Sequence, residues 1–279
     1  MKSIKLTGIT IIAFLFATSA MAQPGARQQN EGKTEQLTVP LSDPGKPYKL
    51  SVELVTGSIK VTPYDGKDVI IDVIASERRR PDRGANGMHR IAGGDNLDVS
   101  ATEKNNEVRI NSDMPSRGCM LNIRIPQGAT HVKLSTVNDG NIVADNLNGQ
   151  IEAQNVNGSI ELKDISGSVV ANTTNGRVIV TFKSTDPKAP MAFTSFNGNV
   201  DVTLPAGSKA NIKAKSDREN IYSDFEFVAE PSQAKTNKTA KDGMYHLTVE
   251  DWVTGKIGGG GPEMLFKTFN GNIYIRKAK

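Results

Sequence analysis

From Leu37 onward apolar and polar residues alternate, as in Leu50-Ser51-Val52-Glu53-Leu54 and Leu121-Asn122-Ile123-Arg124-Ile125. Period two marks strands with one buried face, and the apolar positions are mostly β-branched, which suits a pleated surface. No convincing helical periodicity follows the N-terminal leader. The pattern predicts an all-β chain.

A second regularity lies over the first. A segment of apolar, polar, Gly, polar, Ile or Val, any residue, apolar recurs through the middle of the chain. Its glycines are 140, 149, 158, 167 and 176, each nine residues after the last. Outlying copies occupy 55–61, 196–202 and 269–275, and in all eight the residue two after the glycine is Ile or Val. Self-similarity at a fixed period predicts a repeat architecture. Asn-Gly is also a hairpin signal, but a hairpin at Asn157-Gly158 would leave neither face of the pair apolar. A continuous strand instead puts Val156, Gly158, Ile160 and Leu162 on one inward face. The odd step from Leu162 to Ile165 then predicts a bend, and repeated bends predict a β-solenoid (β-helix-like) core. Asn148, Asn157 and Asn175 are expected to stack as an amide ladder at the strand spacing. The flanks read differently. Asp65-Gly66 and Asp242-Gly243 predict ordinary hairpin turns, so the N-terminal flank is expected to be hairpin-rich. Residues 77–96 and 231–243 read as polar insertions, and Gly258-Gly259-Gly260-Gly261-Pro262 as a tight connection before the last repeat.

The first residues carry an address. Lys2 and Lys5 precede an apolar run over 9–17, and Ala20-Met21-Ala22 ends the segment. A basic start, a short apolar stretch and an A-x-A site predict a Sec signal peptide over 1–22. The run is too short for a membrane span, and no cysteine follows for lipid attachment. Residues 23–36 predict a flexible tail, and 37–279 a single β-rich domain with its repeat core at about 121–279. The expected location is periplasm, cell surface or medium.

Charge and composition narrow the chemistry. The chain has 34 basic and 30 acidic residues, a formal +4. The leader holds two of those lysines and no acid, so the remainder has 32 against 30, or +2. That balance gives no reason to invoke nucleic acid. A single cysteine, Cys119, excludes an intrachain disulfide, and three scattered histidines exclude a His-rich local metal motif.

The repeats, with the segments that lead into them, resemble a bacterial adhesin-like family of exported β-solenoid proteins built on T-x-N-G-x-I repeats, a domain of unknown function. The matching residues are Ile125-Pro126-Gln127-Gly128-Ala129 leading into Thr136-Val137-Asn138-Asp139-Gly140, and Leu204-Pro205-Ala206-Gly207-Ser208 leading into Asn220-Ile221-Tyr222-Ser223-Asp224-Phe225. A third match runs from Gly258–Gly261 and Pro262 into Thr268-Phe269-Asn270-Gly271-Asn272-Ile273. Together they cover roughly 120–279. The sequence departs at Asp217-Arg218-Glu219-Asn220, where the expected N-G is missing. The resemblance implies export and the solenoid fold, and supplies no catalytic residues.

No G-x-S-x-G or H-E-x-x-H motif is present. The glycines at 258–261 precede a strand pattern, not the helix that a phosphate cradle requires. Asp139, Asp145 and Asp164 are out of phase with one another, unlike the aspartates of calcium-binding β-rolls. Asp201 and Asp224 are acids that a solenoid enzyme could use, but no spacing pairs them. His131 reads as a surface residue. No catalytic residue, metal or cofactor is expected. Arg78, Arg79, Arg80 and Arg83 form the one notable charge cluster. They are weak candidates for gripping phosphate or carboxylate groups, although Glu77 and Asp82 offset them. Asn141, Gln150, Ser159, Ser168 and Arg177, each directly after a glycine, are expected to offer polar contacts in series. The reading that follows is a non-enzymatic, adhesin-like envelope protein. Its expected partner is an envelope or extracellular polysaccharide, or a surface protein. An envelope polysaccharide-acting enzyme and a purely structural module remain open.

Overall fold

The computed structural model describes residues 34–75, 99–112, 118–226, 228–230, 235–241, 244–250 and 252–279. Among them every regular element is a strand. The predicted signal peptide lies outside the described residues, as do Arg78, Arg79, Arg80 and Arg83.

Most strands run parallel, in two ladders. The first joins, in spatial order, 107–112, 48–56, 129–138, 148–157, 166–175, 191–197, 263–270 and 211–216. The second joins 119–126, 57–64, 142–145, 160–163, 178–185, 200–204, 273–277 and 221–223. From 48–56 onward, each segment of the first ladder passes at a corner into the segment of the second that holds the same place in the order. Together the two form one rung. The long strands Tyr48–Tyr64 and Ile160–Asn175 contribute to both ladders. With Ala129–Asn138, Ile142–Asp145 and Asn148–Asn157 they close a ring of five parallel strands.

Spatial order departs from chain order twice. The rung 48–64 lies between the strands 107–112 and 119–126 on one side and 129–145 on the other, and 263–277 lies between 191–204 and 211–223. At one end Thr34–Pro40 and Asp68–Ala75 continue the second ladder antiparallel, while Val99–Lys104 continues the first. At the other end Val253–Ile257 and Val228–Glu230 continue the first ladder antiparallel. Such cover blunts edges that would otherwise pair with another chain.

Inward positions form one hydrophobic core that includes Val52, Leu134, Ile151, Ile160, Val178, Phe193 and Ile273. Phe193 and Phe266 meet at 5.1 Å where the neighbouring rungs supply Ala171 and Ala214.

Of three expectations about local structure, two change and one holds. Asp65-Gly66 makes a turn but no hairpin, because Cys119–Pro126 lies between the strands on either side of it. Lys235–Lys241 and Met244–Glu250 do pair antiparallel across residues 242–243. Val156 is not inward. It is 39% exposed, while Ile160 and Leu162 are fully buried. The chain bends at Asn157-Gly158-Ser159, so the inside-outside alternation restarts there instead of running through the glycine.

Candidate functional site

Each residue of the repeat has a distinct task at the corner between ladders. The Thr of T-x-N-G turns inward, and its hydroxyl donates to the carbonyl of the corner glycine one rung away. Thr136 reaches Gly57, Thr173 reaches Gly158 and Thr268 reaches Gly198, each at 2.8 Å. Asn155, Ser195 and Ser216 make the same bond to Gly140, Gly176 and Gly271. The glycine has no room for a side chain, since a Cβ on Gly158 or Gly176 would fall on the carbonyl oxygen of the preceding corner glycine. The Asn stacks along the ladder. Asn157 donates to Asn138, Asn175 to Asn157, Asn197 to Asn175 and Asn270 to Asn197, at 3.2 to 2.7 Å. Asn148 is absent from this ladder, because it lies at the opposite corner, beside Ser166. Between 142 and 180 strand partners are mostly eighteen residues apart, so alternate nine-residue repeats fall at opposite corners.

That alternation also divides the residues after each glycine. Asn141, Ser159 and Arg177 share one corner, where the Asn141 and Ser159 side chains accept backbone N–H bonds from the next rung. Gln150 and Ser168 lie at the other corner, and Ser168 is buried. These five residues therefore do not form the single row that their spacing suggested.

The x of T-x-N-G is what the corner leaves in solvent. In register along the outward face of the first ladder stand Val55, Val137, Val156, Thr174, Phe196 and Phe269. Val137 and Val156 are each 39% exposed and Phe196 is 51%. Phe196 and Phe269 stack at 4.9 Å with 3° between their planes, and Arg218 lies over Phe269 at 5.0 Å. The rings therefore present their edges outward. The adjoining outward column reads Ser135, Gln154, Asn172, Thr194, Lys267 and Lys215. No protein group among the described residues hydrogen-bonds the side chains of Gln154, Asn172 or Thr194.

At the opposite end of this face an open cleft of about 290 Å³ is lined by Lys49, Glu53, Glu107, Arg109, His131 and Lys133, among others. Its charges are largely paired. Lys133 meets Glu53 at 2.9 Å, and Arg109 meets Glu107 at 2.7 Å. His131 is half-buried and lies 3.9 Å from Glu152. Asp201 is held bidentately by Arg276 at 2.7 and 2.9 Å, and Asp224 accepts the Lys277 amide. Both acids have structural partners. Cys119 is buried, and burial raises its thiol pKa. No group of three or more metal-ligating side chains occurs among the described residues. Sequence reasoning missed the outward columns. Their members alternate with core residues in plain view, but which copies stand side by side is not written in the chain.

No family model matches this chain, and no curated protein does. Among solved structures, it is similar to a "putative cell adhesion protein" from Clostridium sporogenes. That match has 15% identity and a TM-score of 0.47, and covers 88% of this chain and all of the other. It is also similar to a "putative adhesin" from Bacteroides fragilis, with 13% identity and a TM-score of 0.43, covering 88% of this chain and 97% of the other.

Proposed function

We propose that this chain is an exported, non-enzymatic, adhesin-like β-solenoid that lays the outward face of its first ladder along a polysaccharide at the cell envelope. The observation that carries this reading is the exposed apolar column. Three consecutive or near-consecutive rungs hold Val137, Val156 and Phe196 in solvent, in register, at the strand spacing of about 4.8 Å. A row of apolar side chains left outside a well-filled core is a candidate contact surface. Beside it runs a column of amides and hydroxyls free to bond a hydroxyl-rich chain. Weak contacts repeated at a fixed spacing gain strength through multivalency, without a single deep pocket. The solenoid reading is supported by the paired ladders and their shared corners. Export rests on the leader at 1–22. Among the described residues no helix is long and apolar enough to cross a membrane, which says nothing of strands.

The test is retention on a panel of immobilised envelope polysaccharides. Val156→Asp combined with Phe196→Asp is expected to weaken retention by at least about tenfold, because charge interrupts a serial contact. Thr203→Asp, on the outward face of the second ladder, is expected to leave it unchanged. Equal loss from both variants, with folding intact, would place contact elsewhere.

A further inference from the structure

The polar column of the first ladder does not end in neutral side chains. Past Gln154, Asn172 and Thr194 it reaches Lys267 and then Lys215, and the next outward column ends in Lys213. Trp252 immediately precedes Val253, which pairs with Ala214, so its indole lies beside these lysines on the same face. The Lys213 ammonium is 4.6 Å from the ring centroid, and those of Lys215 and Lys267 are each 5.9 Å away. Lys215 is paired with Asp217 at 3.2 Å. Among the described residues no carboxylate pairs with Lys213 or Lys267.

This arrangement works against the sheet. Lys215 and Lys267 stand directly opposite each other on neighbouring strands, where like charges repel. The indole attracts ammonium groups but neutralises none of their charge. A ligand anion would remove the repulsion. Lysine ammoniums act as point charges and place little geometric demand on that anion. The approach to the cluster is a run of unpaired amides and a hydroxyl at strand spacing, which suits an extended hydroxylated chain better than a compact ion.

We infer that Lys213, Lys267, Lys215 and Trp252 form a binding site for an acidic sugar unit, bearing a carboxylate or sulfate, of a polysaccharide lying along the polar column. This rests on the proposed contact face and names its ligand class.

Trp252 is the only tryptophan in the chain, so its fluorescence reports on this site alone. The full chain is titrated with polygalacturonate, dextran sulfate, neutral dextran and polyglutamate. At least one acidic polysaccharide is expected to change Trp252 emission saturably, and the effect is expected to fall several-fold as added salt screens the exposed lysines. Neutral dextran is expected to leave the emission unchanged, and polyglutamate, which lacks the hydroxyls that the polar column would bond, to bind more weakly than the acidic polysaccharide. The two acidic arms separate carboxylate from sulfate. Lys213→Gln combined with Lys267→Gln is expected to weaken the acidic polymer about tenfold without lowering the melting temperature, because the substitutions also remove repulsion. The site is overturned if neither acidic polymer moves the emission, if the double variant binds as tightly as the parent, or if polyglutamate binds equally well. Retention that remains sensitive to Val156→Asp with Phe196→Asp while the acidic titration fails would overturn this site and leave the contact face standing. The converse result would overturn the face and leave the site.

Discussion

Thr268→Val tests whether the corner hydrogen bond holds the rungs together. Thr268 is fully buried, and its hydroxyl donates to the Gly198 carbonyl at 2.8 Å. Valine has nearly the same shape, so the substitution leaves no large cavity. It removes a donor from a buried acceptor, a loss of about 1–3 kcal/mol, partly offset by the added methyl group. For a domain of this size each kcal/mol moves the melting temperature by about 2–4 °C, so the expected fall is roughly 2–8 °C. Thr268→Ser keeps the donor and loses a methyl, and serine already fills this role at Ser195 and Ser216. It should therefore be the milder change. Thr174→Val, at an exposed outward position two rungs away, should shift stability by no more than about 0.5 kcal/mol. Urea unfolding followed by circular dichroism, compared by midpoint at constant slope, measures all three. If Thr268→Ser loses more than Thr268→Val, methyl packing holds the corner and the hydrogen-bond account is wrong.

Ile160→Asp is expected to cost several kcal/mol and Glu161→Lys little, since Ile160 is fully buried and Glu161 faces outward toward Lys163 at 2.8 Å. Equal tolerance in a denaturation assay would refute the inside-outside assignment. Tyr48 is buried, with its hydroxyl donating to Pro126, and burial, aided by nearby Tyr64, raises its pKa far above the usual tyrosine value. As pH rises past about 10 the unfolded chain releases this proton first, so the native state loses stability there. Tyr48→Phe should leave the native phenolate absorbance titration unchanged over the normal tyrosine range and remove this part of the alkaline destabilisation. A smaller native titration amplitude in the variant would show that Tyr48 ionises freely.

Much of the local structure is legible in the chain. Alternation at Leu50 to Leu54 and Leu121 to Ile125 specifies strands, because a pleated strand turns successive side chains to opposite faces. T-x-N-G-x-I specifies a corner: a donor inside, an amide outside, and a glycine where backbones meet. What alternation could not specify was the phase across the bend, which is why Val156 stands outside while Leu147 and Ile165 of the sister repeats are buried. Nor could it specify neighbours. Copies of one motif offer one another nearly identical edges, so local pattern cannot show that 48–64 lies beside 129–145, or 263–277 beside 191–204. Those choices depend on how the whole chain fills one core and covers its ends. They alone place Phe196 against Phe269, and set Trp252, just before a capping strand, among lysines of two adjacent rungs. The sequence determined the kind of surface each rung presents, and tertiary packing decided which surfaces became adjacent.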